Sequence, residues 1–487
     1  MKLMMKFFLI AAGLAAMSLV GCSDSAPNGP VASLGSLTIK KYVAVGNSLT
    51  AGYQSAGLYQ SSQMYSYPML ISQQLTKAGA TLGSFEQPYY SDPGTPDATG
   101  KASRYEIISL VGPVIGPKGL TAGQPTNLAL ARPYDNLGIP GIPLAGFMDE
   151  TGTYQSPPLG RDAILRWTSV SSFPKSVYKQ AIALQPDIMT FWLGANDVLG
   201  YATSGGVSPA APTPTATFTA LYTQALSSLK TSLPNVKIVV GNIPDVRAIP
   251  FFNTVGPAVA AKIGALGLQL YYQKAGESGV ASGVTSLTEA NPPLLTLTGM
   301  TYAAYLGQPT GLWYRANGIP YAAVKALGID TTKPFGLHPQ NPWPNALVLD
   351  ATEQTSCANA TAAFNATIAS VASANGAAVV DFFSFFNDIA RNGYAIAGET
   401  YTTAYISGAL FSLDGVHPSS RGYGIVANQY IKAMNSAFGM TIPYVDVSQL
   451  PGIPAPLGKI SSQDGLPILP ADAFKDFQRM FGTTDLR

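Results

Sequence analysis

Short apolar runs that stop at glycines set the rhythm of this chain. Tyr42-Val-Ala-Val45 is apolar at every position and ends at Gly46, which predicts a strand buried on both faces. Pro186-Asp-Ile-Met-Thr-Phe-Trp-Leu193 predicts another, ending at Gly194. Val236–Val240 and Ala377–Asp381 predict two more, the first running out into Gly241-Asn-Ile-Pro-Asp245. Between them the period changes to that of helices. Pro68 opens one, followed by Met69, Leu70, Ile71 and Leu75. Residues 216–232 carry Leu221, Ala225, Leu226 and Leu229 on one face, Phe364–Ala374 forms a third helix, and Gly424–Phe438 a last one. Strand and helix in alternation predict an α/β chain whose parallel sheet is covered on both faces. Ligands of such sheets bind at the carboxyl ends of the strands. One domain is expected over residues 36–440, with insertions at about 83–185 and 246–345 that are rich in Pro, Gly and Tyr. The apolar stretch 251–272, interrupted by Gly256, Pro257 and Lys262, is expected as a buried or capping element. A proline-rich extension, 441–487, closes with Ala473-Phe-Lys-Asp-Phe-Gln-Arg-Met-Phe481, a segment suited to docking on the body or on a partner.

The N-terminus follows a different logic. Lys2 and Lys6 precede the uncharged run Phe7–Gly21, too short for a comfortable membrane span and shaped as a signal peptide. It ends Leu19-Val20-Gly21-Cys22, which resembles the lipobox of bacterial lipoproteins. That resemblance implies cleavage of residues 1–21, lipidation of Cys22, and membrane attachment through a flexible tether, 22–35. Ser23 resembles the residue that follows the cysteine in lipoproteins sent to the outer membrane. Localisation at the cell envelope, lipid-anchored at the outer membrane, is the expectation.

Charge narrows the function. The chain has 487 residues, 47% hydrophobic and only 11% charged, with a net charge of +2. Removing Lys2 and Lys6 from the 28 basic residues leaves 26 against 26 acidic ones. No basic footprint for nucleic acid remains. Two cysteines and two histidines are too few for a zinc ribbon or a multi-histidine metal centre. Cys357 is expected to be a buried apolar residue. No metal or organic cofactor is expected.

Candidate chemistry gathers where strands end. Ser48, in Gly46-Asn-Ser-Leu49, directly follows the first strand. A serine hydroxyl is a weak nucleophile and needs a base. His417, in Leu413-Asp-Gly-Val-His-Pro418, has Asp414 three residues before it, a carboxylate able to hold Nδ1 and leave Nε2 for the serine proton. His338, in Gly336-Leu-His-Pro-Gln340, has no such acid and is expected as a loop histidine. An oxyanion needs donors. Asn196, in Gly194-Ala-Asn-Asp197, offers a side-chain N–H, Gly141, in Asn136-Leu-Gly-Ile-Pro-Gly141, a main-chain N–H, and Ser48 its own N–H.

These four blocks, in this order, resemble the SGNH or GDSL-type serine hydrolases. The resemblance implies a three-layer α/β/α fold with a flavodoxin-like parallel sheet, here with long insertions. It implies Ser48 as nucleophile, His417 as base, Asp414 as its orienter, and Ser48, Gly141 and Asn196 as the oxyanion hole. Gly241-Asn-Ile-Pro-Asp245 resembles the Pro-containing strand end of the larger, plant-type members. Two departures stand out: Asn47 replaces the usual Asp before the serine, and Pro140 stands where Ser is common. The implied reaction is cleavage of carboxylic esters through an acyl-enzyme, lost in acid as His417 protonates. The expected substrate is an ester, a lipid or an acylated glycan. A carbohydrate O-deacetylase with the same triad and a non-catalytic surface-binding lipoprotein are the alternatives.

Overall fold

The computed structural model describes residues 31–480, apart from 98, 110–113, 152–163, 167–169, 171, 208–210, 397, 454–466 and 471–472. The expected leader, Cys22 and Ser23 therefore lie outside the described residues, as does part of the extension.

Five strands form the central sheet: β1 (Tyr42–Gly46), β2 (Asn136–Gly138), β3 (Ile188–Trp192), β4 (Lys237–Gly241) and β5 (Ala378–Val380). Their spatial order is β5-β4-β3-β1-β2, and every neighbouring pair is parallel. This is the flavodoxin-like order, with its switch point between β1 and β3. β1 and β3 are buried at every position, as continuous apolar runs require when helices cover both faces. Alternate residues face opposite layers. Val43, Val45, Met189, Phe191, Ile238 and Val240 belong to one apolar cluster. Tyr42, Ala44, Ile188, Trp192, Val239 and Val380 belong to the other.

Eight helices serve the sheet and the site: α1 (Ser48–Ala51), α2 (Tyr67–Lys77), α3 (Val177–Ala183), α4 (Asn196–Thr203), α5 (Thr215–Ser232), α6 (Ala351–Ala374), α7 (Phe382–Asn392) and α8 (Ser420–Phe438). α3, α5 and α6 cover the first face, through residues such as Ala181, Phe218, Leu226, Phe364 and Ile368. α2, α7 and α8 cover the second, through Leu70, Ile71, Phe382, Ile389, Tyr430 and Ile431. The result is the three-layer α/β/α arrangement.

Two helices start earlier than their apolar pattern predicts. α6 begins at Ala351 rather than Phe364, because Asp350 and Glu353 form a reciprocal capping box. α8 begins at Ser420, capped by Ser419, whose Oγ accepts the Gly422 N–H at 3.1 Å. β2 has no counterpart among the expected strands. It is three residues long, and Asn-Leu-Gly has no apolar run to announce it.

The insertions share the main core. Phe251, Leu295, Met300 and Trp343 fall in the same cluster as Val43 and Phe191. Stretch 251–272 contributes a helix, Val255–Gly264, and an edge, Leu270–Tyr272, paired antiparallel with Gly283–Thr285. Residues 105–109 and 114–117 form a further antiparallel pair. Among the described residues no helix is long and apolar enough to cross a membrane. The C-terminal helix Ala473–Met480 docks on the body: Ala473 and Phe474 are buried, and the Phe474 ring meets Trp313 edge-on at 5.1 Å.

Candidate active site

The strand-end turns converge at the switch point. β1 ends at Gly46, and Asn47 caps α1 by accepting the Leu49 N–H at 3.0 Å. This places Ser48 at the first helical position, its N–H facing out of the helix start. Gly46 and Gly138 permit the tight seating of that turn: a Cβ on Gly138 would lie 2.4 Å from the Ala51 nitrogen, and one on Gly46 1.9 Å from the Thr50 hydroxyl.

Ser48 Oγ lies 2.9 Å from His417 Nε2, and His417 Nδ1 lies 3.0 Å from Asp414 Oδ2. All three residues are buried. Asp414 is held from several sides. Its Oδ1 accepts the N–H groups of Val416 (2.9 Å) and His417 (2.8 Å), and its Oδ2 accepts the Ala56 N–H at 3.0 Å. Burial by itself would raise this carboxyl, but the neighbouring His417 charge and these hydrogen bonds outweigh it and hold Asp414 below the usual carboxylate range. Tyr53 packs against the His417 ring, with centroids 4.8 Å apart, and Tyr405 donates to the Leu413 carbonyl at 2.5 Å.

Asn196 opens α4 just after β3. Its Nδ2 donates to the Ile142 carbonyl at 3.0 Å, while its Oδ1 is buried and unpartnered. Exchanging the two amide atoms would set oxygen against oxygen, so this orientation is the one the surroundings demand. Gly141 is the third residue of the turn Ile139-Pro140-Gly141-Ile142, closed by Ile142 N–H to Ile139 O at 3.2 Å, with φ +75° at Gly141. Proline second and glycine third with positive φ make a type II turn. Among the described residues the Gly141 N–H meets no acceptor. The Gly138 N–H, by contrast, is taken by Asn136 Oδ1 at 2.9 Å.

A cleft of about 680 Å³, partly open to solvent, leads away from Ser48. Ser48, Asn196 and His417 line it; Gly141 is not among its lining residues and sits on the turn whose Ile142 carbonyl Asn196 holds. Most of the wall is apolar: Leu49, Trp192, Leu199, Ile249, Phe386 and Phe411. Gly241–Asp245 supplies one side through Pro244 and Asp245, and Arg247 holds Asp245 with two bonds of 2.9 and 2.7 Å.

The remaining candidates fall outside this site. His338 sits in the second insertion, its Nδ1 accepting the Gln340 N–H at 3.1 Å. Cys357 is fully buried, and burial pushes its thiol up to about 12. Among the described residues there is no cluster able to hold a metal ion. Sequence reasoning missed the groups around the acid. Ser55 and Ala56 carry positive φ (51° and 63°), and their N–H groups meet Ser412 Oγ at 2.8 Å and Asp414. The only signal was the pair Gly52 and Gly57 bracketing that loop.

Residues 42–290 match the family of GDSL-like lipases/acylhydrolases. Comparison with curated proteins finds no match. Solved structures similar to the chain at low identity include two esterases or hydrolases. A family 3 carbohydrate esterase from Clostridium thermocellum is 13% identical, with 83% of this chain and 98% of that chain covered and a TM-score of 0.30. An alpha/beta hydrolase enzyme from the metagenome of Lake Arreo, Spain, is 10% identical, with 83% and 98% covered and a TM-score of 0.33. With the family match spanning the sheet from its first strand through its fourth, this chain belongs to the GDSL-like lipase/acylhydrolase family and is a carboxylic ester hydrolase.

Proposed function

We propose that the chain is a serine esterase of lipase type that cleaves esters with a hydrocarbon acyl chain. One observation carries the reading: the hydrogen-bonded series Ser48–His417–Asp414 opens directly onto an apolar cleft. In this mechanism Ser48 Oγ bonds to the ester carbonyl carbon as its proton passes to His417 Nε2. Asp414 holds the imidazole by Nδ1 and stabilises its positive form. The oxyanion lies among the N–H groups of Ser48 and Gly141 and the Asn196 amide. The free N–H of Gly141 and the occupied one of Gly138 support that choice of glycine. As the carbonyl re-forms, the alcohol leaves with the proton from His417. Water, giving a proton to His417, then cleaves the acyl-enzyme and frees Ser48.

The acyl chain lies along Leu49, Trp192, Phe386 and Phe411. A sugar would need a row of polar partners there, and the cleft offers few. The enzyme is proposed to work from the cell envelope, anchored at the outer membrane by lipidated Cys22. The Leu19–Cys22 motif supports this.

The experiment is fluorophosphonate labelling of the mature protein and of Ser48→Ala, followed by a panel of p-nitrophenyl esters from acetyl to palmitoyl. Labelling at Ser48, lost in the variant, with turnover best on medium or long chains is the expected result. Turnover of acetyl esters alone would replace the lipase reading with the deacetylase one. Absence of labelling on folded protein would remove the nucleophile assignment.

A further inference from the structure

Asp197 stands next to Asn196 and takes no part in the reaction just described. It is nonetheless a buried carboxylate, 5% exposed, placed among hydroxyl and amide groups rather than beside a cation. A carboxylate taken out of water is costly unless hydrogen bonds hold it. Here two do. Oδ2 accepts the Leu144 N–H at 2.8 Å, and Oδ1 accepts the Thr213 hydroxyl at 2.8 Å. The Thr213 N–H also donates to the Asp197 carbonyl at 2.9 Å, fixing the start of α4 from the other side.

Leu144 lies three residues past Gly141, on the same loop. Asn196 grips that loop at the Ile142 carbonyl, and Asp197 grips it at the Leu144 N–H, one on each side of Pro143. Two adjacent residues at one helix start thus pin the loop that carries the Gly141 N–H. Glycine at φ +75° gives that loop no stiffness of its own. Where the Gly141 N–H points therefore depends on how firmly the segment beyond it is held.

We propose that Asp197 is a positioning residue of the oxyanion hole. Its carboxylate fixes the 139–144 loop so that the Gly141 N–H and the Asn196 amide face one point in front of Ser48. This rests on the reading of Gly141 and Asn196 as oxyanion donors.

The test compares Asp197→Ala, Asp197→Asn and Asn196→Ala in the mature protein. Two quantities are read: steady-state kinetics on a soluble p-nitrophenyl ester, and inhibition by an alkylboronic acid, which forms a tetrahedral adduct on the serine. Asp197→Ala is expected to lower kcat by about 10- to 100-fold with KM within about twofold, the pattern of a contact felt only in the transition state. It should weaken the boronic acid by a similar factor. Asp197→Asn keeps an oxygen for Leu144 and gains an N–H for the Thr213 hydroxyl, so it should recover most of both losses. Should the alanine variant fail to fold, Asp197→Ser carries the same expectation, since its short arm cannot reach Leu144. A folded Asp197→Ala or Asp197→Ser enzyme with unchanged kcat and boronic acid affinity would overturn the proposal. If Asn196→Ala slows turnover while the Asp197 variants do not, the positioning role alone falls. If Asn196→Ala also leaves both quantities unchanged, the oxyanion assignment falls with it.

Discussion

Ser55 and Ala56 adopt left-handed backbone in succession, a conformation that costs a residue with a Cβ on the order of 1 kcal/mol or more. The surrounding contacts over-determine it. Both N–H groups meet side chains of the 412–414 segment, and the Leu413 N–H reaches back to Ser55 Oγ at 3.3 Å. The strain thus sits where it aims a donor at Asp414. Because Asp414 is held below the usual carboxylate range, its stabilising contribution is present above about pH 4 and is lost as pH falls through its lowered pKa. It stays charged wherever His417 needs an acceptor. Asp414→Asn should lower kcat by about 10³–10⁴ with little change in KM, measured on the same soluble ester, since an amide cannot hold the imidazole in the required tautomer. At this scale the sequence was legible where side chains meet one another. Asp-x-x-His spacing places Asp414 against His417 through one turn of chain, and Ser48 follows a strand. The Ala56 N–H was not legible, because every residue but proline has such a donor and only folding aims it.

The N-terminus of α6 shows why an element can be found and its start misplaced. Residues 351–363, Ala-Thr-Glu-Gln-Thr-Ser-Cys-Ala-Asn-Ala-Thr-Ala-Ala, have little apolar periodicity. Their helix starts at the capping box and buries Gln354, Cys357 and Thr361, while on its exposed side hydroxyls bond back to carbonyls, Thr355 to Ala351 at 2.7 Å and Ser356 to Thr352 at 3.0 Å. Glu353 closes the box, its Oε2 accepting the Asp350 N–H at 2.6 Å, while Oε1 is buried without a partner against Gly206. Burial pushes this carboxyl up to about 8. A raised pKa means that folding takes up a proton. The contribution is fully present below the unfolded value near 4.5 and is lost as pH rises through about 8. Asp197, pushed up to about 6 by its burial, acts in the same sense at lower pH. Tm should therefore fall between about pH 4.5 and 8, and Glu353→Gln should flatten that slope. The expected difference is on the order of a few kcal/mol at most, read by thermal denaturation across pH.

Over the whole molecule, the alternation of apolar runs and helical periods was enough for a parallel sheet with both faces covered. The insertions carried no such rhythm, since their short helices and two-stranded ribbons take shape only against the common core. The C-terminal segment ties them together. The Ile115 N–H donates to the Ile468 carbonyl at 2.8 Å, Thr301 donates to the Leu469 carbonyl, and Phe474 is sealed against Trp313. Phe474→Ala should cost about 3–4 kcal/mol of stability, measured by denaturant unfolding, while kcat below the transition stays close to that of the parent. The sheet order has one more result. The serine and the imidazole that meet at 2.9 Å are 369 positions apart along the chain. At roughly 5–20 residues per second, a ribosome needs about 20–70 s to travel between them. Throughout that interval a growing chain displays its serine with no base beside it. On the proposed mechanism Ser48 cannot be activated before residue 417 has been made, so a shorter N-terminal fragment would cleave no ester.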